Sequence, residues 1–285
     1  MDYQNPDALV STDWLEHHLM APDVRIVDAT FYLPHDERIA ANEYATRHIP
    51  GAVYFNIDEI CDSDTDLPHM LPSPEKFSSK VRKLGLGDGN RIVVYDSSGG
   101  FMAACRVWWM FRIFGHADVA VLDGGLPKWM AEKRPVNDDE VIPQPRHFSA
   151  SMNNTLVKNL SQMMSNIEKH KYQVVDARSP GRFDGIDHEP RPTEKRGHIP
   201  GSLNLPFNTL LNPKDNFTFK SADEILDALD HAGIDLNNPL TASCGSGVTA
   251  SVTALALYLV GHDEVAVYDG SWAEWGDHPD TPVGP

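Results

Sequence analysis

Short runs of β-branched and aliphatic residues alternate with longer helical ones along most of this chain. VRIVDA (24–29), RIVVYD (91–96) and DVAVLDG (118–124) read as strands. SPEKFSSKVRKLG (73–85) has the spacing of an amphipathic helix, and FMAACRVWWMFRIFG (101–115) reads as an apolar one. Strands that are apolar on both faces and separated by helices predict an α/β fold with a mostly parallel sheet flanked by helices. The stretch VNDDEVIPQPRHFSASMNNT (136–155) breaks the pattern with prolines, charges and small polar residues, as a linker does.

The pattern occurs twice. Gly115, His116, Val119, Ala120, Val121, Asp123, Gly124 and Trp129 recur 146 positions later as Gly261, His262, Val265, Ala266, Val267, Asp269, Gly270 and Trp275. RHIPGAVYFNID (47–58) meets GHIPGSLNLPFN (197–208), and IVDA (26–29) meets VVDA (174–177), in the same order. Three blocks in order indicate a duplicated domain. The expected division is a first copy over 1–135, a linker over 136–155 and a second copy over 156–285.

The chain's 285 residues suit two domains of ordinary size, and 41% hydrophobic with 23% charged residues is a globular balance. The longest apolar stretch, Ala254–Val260, is far below the roughly 18 residues of a bilayer span. The N-terminal stretch MDYQNPDALVSTDW has neither a basic nor an apolar leader pattern, which favours the cytoplasm. A net charge of −17 argues against nucleic acid or anionic membranes as partners, and requires local cations for any anionic substrate. Cys61, Cys105 and Cys244 show no C-x-x-C spacing, and the thirteen histidines include only one adjacent pair, His17–His18. Neither a disulfide framework nor a metal site is supported, and no cofactor is expected.

Candidate chemistry centres on TASCGSGVTASVTALALYLVG (241–261), which reads as strand, loop and helix with Cys244 at the strand end. A glycine-rich loop entering a helix can aim backbone amides and the helix's positive end at one point. A thiol at that point loses its proton more easily than a free cysteine of pKa about 8.5, within the roughly 3.5–7.5 of reactive cysteines. Gly245 and Gly247 would waste packing beside a structural cysteine but let a substrate approach the backbone beside a nucleophile. Phosphoryl and sulfur transfer both use such a cradle. A phosphatase needs an arginine six positions after the cysteine; Ala250 stands there, and no cation lies between Gly245 and Thr253.

The segments HIPGAVYFNID, PHMLPSPEKF, RVWWMFRIFGH, LDGG, GRF, EPRP, RGHIPG, SCGSGVTA and YDGSWAEW resemble the tandem-domain rhodanese family. Among its branches the chain is most similar to the 3-mercaptopyruvate sulfurtransferases, and the resemblance covers nearly the whole sequence. It implies two tandem rhodanese-like domains, the first silent and the second carrying a persulfide on Cys244. Sulfur would come from mercaptopyruvate, release pyruvate and pass to a thioredoxin-like protein, a small thiol or cyanide. The neutral Gly245 and Ser246 depart from the basic residues typical of the thiosulfate-using branch. A thiosulfate sulfurtransferase and a non-catalytic binding or redox-sensing module are the rival readings.

The same resemblance assigns Ser246 to proton relay, Asp58 to a triad with Ser246 and Cys244, and His69 to a second active-site position. Arg182 and Arg191 would hold the carboxylate and ketone of the substrate, with Gly245, Gly247, Val248 and Thr249 lining its site. Against this, Asp184, Asp187, Glu189 and Glu194 interleave with the arginines, as surface ion pairs would. Aligned at 146 positions, Ser98 stands where Cys244 does in the second copy. Cys105, Trp108, Trp109 and Phe111 read as core, and Cys61, three residues after Asp58, as a bystander, with oxidative regulation as the alternative.

Overall fold

The longer strands form where the β-branched runs lie, because helices that turn apolar side chains inward cover the sheets. The computed structural model describes residues 1–33, 36–100 and 102–284. In the first copy β1 (Leu9–Val10), β2 (Val24–Asp28), β3 (Val53–Tyr54), β4 (Arg91–Tyr95) and β5 (Val119–Leu122) form one parallel sheet in the order β1-β5-β4-β2-β3. In the second, β6 (Val157–Lys158), β7 (Gln173–Asp176), β8 (Leu203–Asn204), β11 (Leu240–Ser243) and β12 (Ala266–Tyr268) repeat it as β6-β12-β11-β7-β8. An antiparallel hairpin of β9 (Leu211–Asn212) and β10 (Thr218–Phe219) is an addition that the sequence reading did not anticipate.

Helices α1 (Thr12–His18), α2 (Ala40–Thr46), α3 (Pro74–Lys83), α4 (Met102–Ile113) and α5 (Gly125–Ala131) belong to the first copy. Helices α6 (Leu160–Lys169), α7 (Pro180–Phe183), α8 (Ala222–His231), α9 (Ala250–Leu259) and α10 (Ser271–Trp275) belong to the second. Helix α3 starts where its sequence says it should: the Ser73 hydroxyl accepts from Lys76 N, and Pro74 occupies the first turn, where no amide is needed. The expected helix over 101–115 is α4, with Phe101 outside the described residues. Among the described residues no helix is long and apolar enough to cross a membrane.

Alternation along β4 distributes its side chains between two cores. Ile92 and Val94 join the main apolar cluster, whereas Val93 and Tyr95 pack with Leu15, Leu126 and Trp129 on the other face. The main cluster is continuous between the copies because α4 packs against α9. Both helices are apolar nearly all round, the pattern of a helix buried on every side. Cys105 and Phe111 are fully buried there, and Trp108 and Trp109 almost so, as expected of core residues. Residues 136–155 are tied to the first copy: Asp88 N donates to His147 O, and Ser151 N to Phe114 O.

Asp123, just after β5, also joins the copies, accepting from Phe219 N at 2.9 Å. Desolvation pushes its carboxyl up from 3.8 to about 6. An acid whose folded pKa exceeds its unfolded one penalises folding fully above the higher value, and the penalty fades as pH falls toward the lower. The stability gained by Asp123→Asn should therefore grow between pH 4 and pH 7, read as the difference in melting temperature from the parent.

Candidate active site

Cys244 is the first residue after β11, and Gly245–Thr249 curve from it into α9, the strand–loop–helix arrangement expected. Its side chain is only 2% exposed. It lines a cleft of about 280 Å³ between the copies, so the thiol is approached through that cleft and not from open solvent. A volume this small suits a small molecule. Phe31 and Met102 come from the first copy; Arg182, Arg191, Gly245, Ser246, Val248 and Thr249 come from the second.

The loop amides divide into two sets. Those of Gly245, Ser246, Val248 and Thr249 have no acceptor among the described residues, whereas Cys244 N and Gly247 N both donate to Ser271 Oγ, at 3.2 and 3.0 Å. Buried amides are nearly always paired, so unpaired ones around a cleft mark where an anion would be met. Gly247 corrects the sequence expectation: its amide is taken by Ser271, and it is not among the residues that line the cleft. Its φ of 73° is left-handed, and a Cβ there would fall 2.8 Å from Asp269 O. Gly245 has a local reason too, since a Cβ would meet Arg182 Nη2 at 2.7 Å.

Asp58 and His69 reach Ser246 by a route the sequence did not show. His69 is 4% exposed, and its Nδ1 lies 3.1 Å from Asp58 Oδ1, at ion-pair distance but poorly aligned for a hydrogen bond. Arg191 donates through Nη2 to His69 Nε2 at 2.8 Å and through Nη1 to Ser246 Oγ at 3.5 Å. Accepting from arginine at Nε2 leaves the His69 proton on Nδ1, facing Asp58. Burial pulls the His69 pKa below its usual value, outweighing Asp58; the His69 contact in turn lowers that of Asp58. Instead of a direct triad of Asp58, Ser246 and Cys244, the residues form a chain Asp58–His69–Arg191–Ser246 that ends two positions beyond the thiol.

Arg182 meets one of the interleaving acids. Its guanidinium is forked onto Glu189 Oε2, while Glu189 Oε1 accepts from Arg178 Nη1 at 2.7 Å. Arg178 is buried against Asp176 at 2.6 Å, so the wall carries an ordered ladder of alternating charge. Arg182 stands at the cleft end of this ladder and lines the cleft. Sequence reasoning noted Glu189 only as a counter-charge and missed Arg178.

Arg106 was missed altogether. Fully buried in α4 of the first copy, it donates to His69 O at 2.6 Å, Asp269 Oδ1 at 2.7 Å and Gly247 O at 3.3 Å. An arginine inside an apolar helix run was the available signal, since such a side chain is rarely buried without partners. Among the other cysteines, Cys105 is sealed in the core, where burial raises its pKa well above normal. The half-buried Cys61 donates through Sγ to Asp58 O, and burial raises its pKa too.

Strand register corrects the alignment of the matching loop in the first copy. Val94 pairs with Val121 as Ala242 pairs with Val267, and Tyr95 pairs with Asp28 as Ser243 pairs with Asp176. Asp96, not Ser98, thus occupies the place of Cys244. The matching bonds agree: Leu126 N donates to Asp96 O and Trp272 N to Cys244 O. The Asp96 carboxylate is buried and accepts from Ser98 N, Ser98 Oγ and Ala104 N. The 146-position shift misses this because the first copy has two more residues between its equivalent strands.

Comparison with known proteins gives the same picture. The model of the rhodanese-like domain matches twice, over residues 11–132 and 159–278. A human 3-mercaptopyruvate sulfurtransferase is 42% identical, covering 94% of this chain and 91% of its own length. A thiosulfate sulfurtransferase from Gallus gallus is 44% identical, covering 94% and 93%. A mitochondrial thiosulfate/3-mercaptopyruvate sulfurtransferase from Arabidopsis thaliana is 42% identical, covering 97% and 78%. The crystal structure of SseA from Escherichia coli, described as a 3-mercaptopyruvate sulfotransferase, superposes with a TM-score of 0.85 at 37% identity, covering 93% and 98%. With both copies matched and relatives aligned almost end to end, the chain belongs to the rhodanese-like domain family, as a tandem-domain sulfurtransferase.

Proposed function

We propose that this enzyme takes sulfur from 3-mercaptopyruvate onto Cys244, releases pyruvate, and passes the sulfur to a thiol or cyanide acceptor. The observation that carries the reading is Cys244 on the cleft wall beside two arginines and four unpaired loop amides. In the first half-reaction the Cys244 thiolate attacks the donor sulfur. The carbon–sulfur bond breaks with its electron pair on the methylene carbon, which takes up the former thiol proton and leaves as pyruvate. Cys244 then holds a persulfide whose outer sulfur is anionic, and the free amides are placed to stabilise it. Attack by an acceptor thiolate on that outer sulfur returns the Cys244 thiolate.

Arg191 and Arg182 supply forked donors for the carboxylate and ketone of the donor. The chain from Asp58 through His69 to Arg191 keeps that fork oriented, and Ser246 offers a cleft-lining hydroxyl for proton transfer. The first copy supports the cradle: the position matching Cys244 there is an aspartate under loop donors. A thioredoxin-like protein is one acceptor of the proposed class. One relative is mitochondrial by name, so the cytoplasm expected from the N-terminal composition is one of two compartments to test by cell fractionation.

Thiosulfate is the second reading, because the human and chicken relatives, named for different donors, are 42% and 44% identical to this chain. The loop favours mercaptopyruvate: a dianion would meet no cation among Gly245–Thr249. Steady-state kinetics should give the higher kcat/KM with mercaptopyruvate, and a higher value with thiosulfate would reverse the donor assignment. Arg191→Gln should raise KM for mercaptopyruvate by about 10–100-fold, the worth of roughly 1.5–3 kcal/mol for a hydrogen bond to a charged group. An unchanged KM would remove Arg191 from donor binding.

A further inference from the structure

Ser271, the first residue of α10, combines three features that its place in the sequence does not explain. It is fully buried, its backbone is left-handed at φ 51°, and its hydroxyl is shared by three parts of the site. Ser271 Oγ accepts from Cys244 N at 3.2 Å and Gly247 N at 3.0 Å, and donates to Tyr268 O at 2.7 Å. The next two amides complete the grip: Trp272 N donates to Cys244 O and Ala273 N to Gly245 O, both at 2.9 Å. Donors three residues apart on one oxygen close Cys244–Gly247 into a tight arc, with its inner carbonyls also held.

The first copy supplies the comparison. Gly125 stands at the matching position with φ 54°, the same left-handed φ without a side chain, although the glycine before it is left-handed in the first copy and right-handed in the second. Glycine adopts that conformation freely, whereas any other residue is strained there, and such strain concentrates at functional sites. The silent copy uses the relaxed residue and has Asp96 in place of the thiol; the second copy has both Cys244 and a strained serine. At this matched pair of positions the strained side chain stands in the copy that carries the thiol and bonds its loop, which points to a role for the hydroxyl in the chemistry.

We propose that Ser271 is a positioning residue for sulfur transfer: its hydroxyl gathers the Cys244 and Gly247 amides and so fixes the arc that presents the remaining loop amides to the reacting sulfur. The inference rests on Cys244 as the sulfur carrier. It places Ser271 behind the loop, out of reach of the donor, so its loss acts on kcat and leaves donor binding alone.

The test compares Ser271→Gly with Ser271→Ala. Glycine removes the hydroxyl and the strain, and Gly125 shows that this fold accepts it; alanine removes only the hydroxyl. Both variants should lose about tenfold or more in kcat, with KM for mercaptopyruvate within about threefold of the parent. The pH profile of Cys244 alkylation by iodoacetamide should move to higher pH in both, although the glycine variant melts at the higher temperature. Unchanged kcat and alkylation profile would overturn the proposal, as would losses that follow melting temperature rather than the missing hydroxyl.

Amide hydrogen exchange on the parent protein gives a check that needs no variant. The Gly247 amide should exchange at least about tenfold more slowly than that of Ser246, and equal rates would also overturn the proposal. Alkylation and exchange report on Ser271 without a sulfur donor. A parent that forms no persulfide would refute Cys244 as carrier and leave these two readouts intact.

Discussion

Cys244→Ser should abolish sulfur transfer, lowering kcat by at least about a thousandfold, while the protein stays folded. Removing a nucleophile costs that much or more when no neighbour can replace it, and neither remaining cysteine can. Cys105 is enclosed in the core, and Cys61 is not among the cleft-lining residues. A serine hydroxyl in the same place has neither the acidity nor the sulfur chemistry to hold a persulfide. The structural effect is small because serine is close in size; one hydroxyl at a 2% exposed position costs about 1–3 kcal/mol if it finds no partner. Mass spectrometry after adding mercaptopyruvate should show one extra sulfur atom on the parent and none on the variant. A parent without the added sulfur would turn the chain into a binding or redox-sensing module.

Arg106→Met should be strongly destabilising, by about 3–5 kcal/mol in urea unfolding. Its partner Asp269 is 5% exposed, and loss of the guanidinium leaves that carboxylate, among the described residues, with the Leu71 amide at 2.7 Å as its one donor. An unpaired buried charge of this kind costs several kcal/mol, much more than the pair itself contributes. Arg106 also holds the His69 and Gly247 carbonyls, so kcat should fall in whatever fraction remains folded. Arg106→Met with Asp269→Leu should recover much of the stability, because no charge is left buried, but not the activity. Recovery of both together would show that Arg106 serves the fold alone.

These two residues illustrate what sequence could and could not show. Cys244 was legible because a glycine-rich loop between a strand run and an apolar helix run is a local pattern. Arg106 was not, because its three acceptors lie 37, 141 and 163 residues away. The error over the matching loop of the first copy has a similar origin. The longest repeated block fixed an offset that holds near β5 and β12, but two extra residues before it displaced Ser98 onto the place of Asp96. Only hydrogen-bond register across the sheet corrected that.

The residues alone therefore determined the duplicated α/β architecture, the strands and helices with strong periodicity, and the thiol on which the proposed chemistry turns. These follow from neighbours in the chain, whose spacing decides which faces are apolar and where a loop must bend. Tertiary structure decided which loop amides are free and which are spent on Ser271. It also decided that Arg182 rests on Glu189, and that Asp58 reaches Ser246 only through His69 and Arg191. Those outcomes depend on distances between segments far apart in sequence, set when α4 and α9 pack and bring the two copies together.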